Sequence, residues 1–245
     1  MGIDAITQME KRARWLRLGQ RLFGERSLLL AGRLFYRLRV EGVEYIPASG
    51  ACLFAFNHVA QPVDLMTNVL IRRHRPDIYL FGLHGFQGEN PLAQFLALMG
   101  QQEAEEQVLR AYKARGLSAG ELLRALRLLQ AGAALALAAE GEFTWDGRLQ
   151  HPLAPGAAWL GLRSGAPIVP VVSSGGYDVQ PRWWLERMRL TGRVTIRVGP
   201  PLILSERPVQ RLDDAEMEAA NQRLWEAMAA LLAGPSSLVS TGRKR

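Results

Sequence analysis

The chain is short of several things, and each shortage excludes a class of protein. It holds one cysteine, Cys52, in 245 residues. A lone thiol cannot pair within the chain, so a disulfide-stapled scaffold is excluded and a reducing compartment fits. Cys52 lies in an apolar run, where a buried structural thiol is the expectation rather than a nucleophile. No run of about 18 apolar residues exists, so no spanning helix is expected. The N-terminal region lacks an apolar core followed by a small-residue cleavage site, so no signal peptide is expected either. No His/Cys cluster has metal-ligand spacing, and the expected metal content is none. No G-x-S-x-G elbow appears, and Ser173-Ser174-Gly175-Gly176 does not supply one. Helix-turn-helix, zinc-finger and RNA-binding signatures are missing, which removes nucleic acid as an expected partner.

What the chain does have is positive charge in one place. The net charge is +7. Lys11, Arg12, Arg14, Arg17, Arg21, Arg26, Arg33, Arg37 and Arg39 face only Asp4, Glu10 and Glu25 over residues 1–40, so this segment alone carries 9 − 3 = +6. From Trp15 to Val40, Leu, Phe and Trp recur at three- and four-residue spacing with Arg between them, and Gly24 divides the stretch. The pattern predicts a pair of basic amphipathic helices. Such a pair suits an anionic phospholipid surface, with apolar side chains in the acyl boundary and Arg among headgroups. The alternative is a helix pair docked on its own domain with Arg in water.

Ala51–Met66 reads A-C-L-F-A-F-N-H-V-A-Q-P-V-D-L-M. Leu53 to Phe56 is predicted to be a buried strand. Asn57-His58 falls at its end, and Gln61-Pro62 opens a helix with Asp64 in its first turn. In open α/β sheets the carboxyl ends of strands are where ligands bind. A neutral imidazole there can take a proton from a hydroxyl near neutral pH. A carboxylate behind it sets the tautomer and stabilises the imidazolium that forms. The plainer reading is a capping His and a first-turn Asp that never meet.

The rest of the chain alternates strands and helices. Arg39–Tyr45 reads as an edge strand, Leu65–Arg73 as a helix, and Ile78–Phe81 as a second strand before a glycine-rich loop containing His84. Pro91–Met99 is apolar at helical spacing, and Gly100–Glu106 reads as a polar turn into another helix. Leu122–Gln130 is a helix, Ala133–Ala139 a strand of small residues ending in Glu140-Gly141, and Ala157–Arg163 a helix. Pro167–Val172 and Val194–Val198 are strands, and Leu212–Leu232 is a long helix with acids at its start. The fold class predicted is α/β: a mixed, mostly parallel sheet flanked by helices on both faces, with the N-terminal helix pair ahead of it. The divisions expected are 1–37 for that membrane-associating pair, 38–233 for one α/β domain, and 234–245 for a disordered tail.

The order of these pieces resembles the glycerolipid acyltransferases, the lysophosphatidic-acid-acyltransferase-like family, over about residues 38–200. V-E-G-V-E-Y-I-P precedes the key strand. N-H-V-A-Q-P-V-D-L-M is similar to the family's N-H-x-S-x-x-D block, and E-G-E-F-T-W-D-G-R-L to its E-G-T-R-S-x-x-G block. A-P-G-A-A-W-L-G-L-R-S-G-A-P-I-V-P-V is similar to its K-x-G-A-x-x-L-A-x-x-x-x-x-P-I-V-P-V run.

The resemblance implies an O-acyltransferase that moves a fatty acyl group from a thioester, acyl-CoA or acyl carrier protein, to a lipid hydroxyl. It implies His58 as general base, Asp64 as its orienting partner, and Asn57, Glu140, Gly141 and Pro170 as substrate-binding residues. No cofactor is implied beyond the thioester co-substrate. The expected place of work is the cytoplasmic face of the cell membrane, held peripherally. A second reading is a catalytically inactive relative that binds lipid at that surface. The sequence departs from the family in three ways. Five residues, Val59 to Val63, separate His58 from Asp64, one more than the family block has. Phe143 stands where the family has Arg, and Gly100–Glu106, aligned with the family's middle block, holds no Arg. Those arginines are the family's acceptor-phosphate ligands, so the resemblance implies an acceptor other than lysophosphatidic acid, with Arg148 as a candidate substitute.

Overall fold

The computed structural model of the chain describes residues 25–83, 108–112, 116–117, 119–181 and 189–234. In chain order the elements are α1 (Glu25–Phe35), β1 (Arg39–Glu41), a 3-10 turn (Val43–Tyr45), β2 (Cys52–Phe56), α2 (Gln61–His74), β3 (Tyr79–Leu83), β4 (Val108–Tyr112) and β5 (Gly116–Leu117). They continue with α3 (Ala119–Gln130), β6 (Ala134–Ala138), α4 (Gly156–Ser164), β7 (Ile168–Ser174), α5 (Gly176–Val179), β8 (Thr195–Val198) and α6 (Asp214–Ala233).

The eight strands among the described residues join one sheet in the order β1-β8-β7-β2-β6-β3-β4-β5. Among these strands the β7–β8 and β4–β5 pairs are antiparallel and the other pairs parallel. β2 is central, in register with β6 (Phe56 opposite Ala138) and β7 (Phe56 opposite Val171). The strand is apolar at every position because both its faces are covered. Cys52, Phe54 and Phe56 pack with Leu29 of α1 and Val63, Met66 and Leu70 of α2. Leu53 and Ala55 pack on the other side with Leu129 of α3, Leu160 of α4 and Leu224 and Met228 of α6. The predicted fold class therefore holds: a mostly parallel sheet with helices on both faces.

The differences are local. The helix ahead of β1 ends at Phe35, and Arg37 takes a positive φ of 43° as Leu38 turns into the core. Arg39–Tyr45 divides into a strand and a 3-10 turn. After Glu106, where a helix was expected, Val108–Tyr112 instead pairs with β3 as a strand. Its apolar residues suit either element, and partnership with a sheet edge decided between them. The first helix of the N-terminal pair, the Pro91–Met99 helix, His84 and the 235–245 tail lie outside the described residues. No helix among the described residues is long and apolar enough to cross a membrane.

Parallel pairing brings the carboxyl ends of β2, β3, β6 and β7 to one rim of the sheet. The opposite rim is closed by Arg75, whose side chain is fully buried after α2. Its guanidinium donates to both oxygens of Asp77, to the carbonyls of Pro47 and Gly50, and to Cys52 Sγ. Cys52 is buried, and burial pushes its thiol up to about 11 despite the neighbouring cation, which makes it a core residue.

Candidate active site

β2 delivers Asn57 and His58 to the rim, and the chain reaches α2 through an extended Ala60 at the helix N-cap (φ −159°, ψ 139°). With five residues between them, His58 and Asp64 are joined by this extended step and the start of α2. Asp64 then comes round on the first turn of α2, and its Oδ2 lies 2.8 Å from His58 Nδ1. The two side chains meet. Asp64 is buried, whereas the His58 side chain keeps 19 % of its surface exposed. Burial raises the Asp64 pKa, opposed by the charge and hydrogen bond of His58. The amides of Val59 and Ala60 also favour its ionised form, yet Oδ1 is buried without a close hydrogen bond.

β6 delivers Glu140 to the same rim. Its carboxylate is buried and binds main chain on both sides: Oε1 accepts the His58 amide N–H at 2.7 Å, and Oε2 accepts the Gln150 N–H at 2.9 Å. Burial raises its pKa, and these two amides pull the other way. Gly141 takes φ 76°, the left-handed region in which a side chain is strained. An added Cβ would also press on Ala154 Cβ at 3.0 Å. The turn redirects the chain so that the Thr144 N–H reaches the His58 carbonyl at 2.8 Å. Phe143 then lies against the imidazole, with ring centroids 3.6 Å apart and planes 24° from parallel. Phe56 meets the same imidazole edge-on, at 6.3 Å. Tyr177 of α5 fastens the loop by donating its hydroxyl to the Trp145 carbonyl at 2.9 Å. Trp145 itself is exposed.

Two of the predicted residues stand back from this cluster. Asn57 is buried, and its amide is matched to β7: Nδ2 donates to the Ser173 carbonyl at 2.9 Å and Oδ1 accepts the Ser173 N–H at 2.7 Å. It holds the strand ends in register beneath His58. Pro170 is buried inside β7 opposite Ala55, and its ring packs toward Gly199. Arg148 extends into solvent beside Asp146. The stacking role of Phe143 and the Ser173 brace went unread in the sequence. The only signals were an aromatic after E-G-E and a polar pair closing an apolar strand. Among the described residues no group of three His, Cys, Asp or Glu side chains is arranged to hold a metal ion.

The family model for Acyltransferase matches residues 37–174, which run from β1 to the end of β7 and include His58, Asp64, Glu140, Gly141 and Phe143. The chain belongs to the acyltransferase family. No curated protein matches it. Among solved structures it is similar to the 1-acyl-sn-glycerophosphate (LPA) acyltransferase PlsC of Thermotoga maritima, at 18 % identity and a TM-score of 0.57. That match covers 97 % of this chain and 85 % of the other. The likeness is one of fold.

Proposed function

We propose that this O-acyltransferase takes its fatty acyl group from a thioester, acyl-CoA or acyl carrier protein, and that His58 and Asp64 drive the transfer. The observation that carries this reading is the 2.8 Å contact between His58 Nδ1 and Asp64 Oδ2 at the open rim of the sheet. With Asp64 ionised, Nδ1 carries the ring proton and Nε2 keeps its lone pair. Nε2 takes the proton from the acceptor hydroxyl as its oxygen bonds to the thioester carbonyl carbon. The tetrahedral intermediate then expels the sulfur, and the imidazolium returns the proton to the departing thiolate. The ester and a free thiol are the products, and no covalent enzyme intermediate forms. Asp64 stabilises the transient imidazolium, as a buried carboxylate does for an attached ring. Glu140 fixes the main chain of His58, and Gly141 shapes the turn beside the acceptor.

The acceptor in this reading is a lipid hydroxyl without a phosphate beside it. Phe143 occupies the position of the family's phosphate-binding Arg and packs on the imidazole, so the wall there is apolar. A phosphate lacking bidentate guanidinium partners would be poorly held. We further propose that the protein works peripherally on the cytoplasmic face of the membrane, against anionic phospholipid. Its +6 N-terminal segment and the exposed Leu30, Leu34 and Phe35 of α1 support this.

The test is thiol release from acyl-CoA by purified protein with a membrane lipid extract. Release that disappears in both His58→Ala and Asp64→Ala supports the enzyme. Lipid binding without any turnover supports the inactive lipid-binding relative instead. Efficient acylation of lysophosphatidic acid, lost in His58→Ala, would overturn the acceptor assignment.

A further inference from the structure

We infer that the 189–193 segment is a second membrane-contact element, which acts with α1 to press the catalytic rim against an anionic bilayer. The inference rests on the acyl-transfer reading, because it supposes a lipid acceptor, but its evidence is separate.

Topology gives the first argument. β8 is antiparallel to β7 and starts opposite Ser174, at the rim where β2 ends in Asn57-His58. β1 is parallel to β8, with Arg39 opposite Thr195, so it starts at that rim as well. The end of α1 and the segment entering β8 therefore stand on the catalytic side of the sheet. Main-chain hydrogen bonds lock them together: Gly192 N–H to the Phe35 carbonyl at 3.1 Å, Val194 N–H to the Tyr36 carbonyl at 2.9 Å, and Arg39 N–H to the Val194 carbonyl at 2.9 Å. The Arg189 N–H binds the Val179 carbonyl of α5 at 2.7 Å. Gly175 (φ 80°) sits so close that an added Cβ would strike the Arg193 carbonyl. The segment is a fixed part of the rim.

Surface chemistry gives the second. Leu190 is 70 % exposed, and on α1 Leu34 is 69 %, Phe35 54 % and Leu30 55 % exposed. Single exposed leucines are ordinary, but here four large apolar side chains are exposed on two segments that main-chain hydrogen bonds join. Arg33, Arg37, Arg39, Arg189 and Arg193 are exposed on the same stretches, and neither 30–39 nor 189–193 contains an acid. In the sequence before this segment stand Asp178 of α5, which is exposed, and Glu186. Apolar side chains ringed by arginine suit the boundary between acyl chains and anionic headgroups.

The test uses the full chain. Cys52 is buried, so a cysteine placed on the surface takes an environment-sensitive fluorophore selectively. Leu34→Cys and Leu190→Cys report on the proposed face. Ile203→Cys is the control, because Ile203 is 54 % exposed and follows the Ile168–Leu202 bridge at the opposite rim. With phosphatidylcholine–phosphatidylglycerol vesicles, the probes at 34 and 190 should shift to the blue and the probe at 203 should not. Arg189→Gln with Arg193→Gln should weaken vesicle binding by roughly fivefold per arginine, with Tm unchanged. A silent probe at 190 beside a responding one at 34 overturns the inference and leaves membrane attachment to the N-terminal helices. Silence at both positions overturns attachment through this rim altogether. An equal response at 203 overturns the orientation. Thiol release on detergent-dispersed lipid measures acyl transfer separately, so a failed dock and a failed enzyme give different results.

Discussion

Glu140 holds His58 by its main chain, not by its ring. One carboxylate oxygen takes the His58 amide at 2.7 Å while the other takes Gln150 at 2.9 Å, tying the end of β2 to the loop after β6. The ring is left to Asp64, Phe143 and the edge of Phe56. His58, the proposed general base, is thus held through both main chain and ring, and its contacts with Glu140, Asp64 and Phe143 are each open to a different test.

Glu140→Gln keeps the shape but turns an NH2 group toward one of the two amides. A buried donor left unmatched costs about 1–3 kcal/mol. The urea midpoint should fall accordingly, and kcat should drop more than KM changes, because the ring is displaced. A variant of normal stability with only KM raised would mean that the carboxylate faces substrate.

Asp64→Asn should cost kcat on the order of 10²–10⁴, since an amide can turn its NH2 toward Nδ1 and put the ring proton on Nε2, the wrong nitrogen. The fold should survive, because Val63, Met66 and Leu70 still seat α2 on the sheet. Activity within tenfold of the parent would remove Asp64 from the mechanism.

The same substitution has a pH signature in stability. Burial raises the folded pKa of Asp64 above its unfolded value, so folding favours the protonated form. The penalty for burying the charge is absent below the unfolded pKa. It grows as pH rises toward the raised folded pKa and is complete above it. Asparagine carries no such penalty, so the Tm of Asp64→Asn minus that of the parent should increase from acid to neutral pH. A gap independent of pH would contradict this.

Phe143→Arg should restore a phosphate ligand next to the base. A hydrogen bond to a charged group is worth about 1.5–3 kcal/mol, or roughly 10- to 100-fold. The kcat/KM ratio for lysophosphatidic acid over a neutral lipid alcohol should rise by that factor. An unchanged ratio would show that Phe143 does not set acceptor choice.

Arg75→Leu should destabilise the protein by about 2–4 kcal/mol in urea, because the Pro47 and Gly50 carbonyls lose a buried donor. The folded fraction should keep its kcat, because Arg75 closes the rim opposite His58. A change in kcat at constant stability would show that the two rims are coupled.

Much of this was legible in the residues. Leu53–Phe56 announces a buried strand by being apolar throughout, and Pro62 and Asp64 announce the helix start that follows. Asp213 and Glu216 form a capping box that opens α6 where the acids suggested a beginning. β4 was less readable, because V-L-R-A-Y carries no period of its own that separates strand from helix. Its identity came from β3, a partner far away in sequence.

By itself, the sequence determined the class of fold, the strand that ends in His58, and the family motifs, since hydrophobic period and turn chemistry act between neighbours. It could not decide whether a lengthened His–Asp block still closes, because that depends on how α2 seats against the sheet. It also could not say that Glu140 would grip a backbone, or that Phe143 would lie on the imidazole. Those contacts span more than eighty residues of chain. They exist because parallel pairing brings β2 and β6 to the same rim, where burial leaves each polar group only the partners that the sheet places beside it.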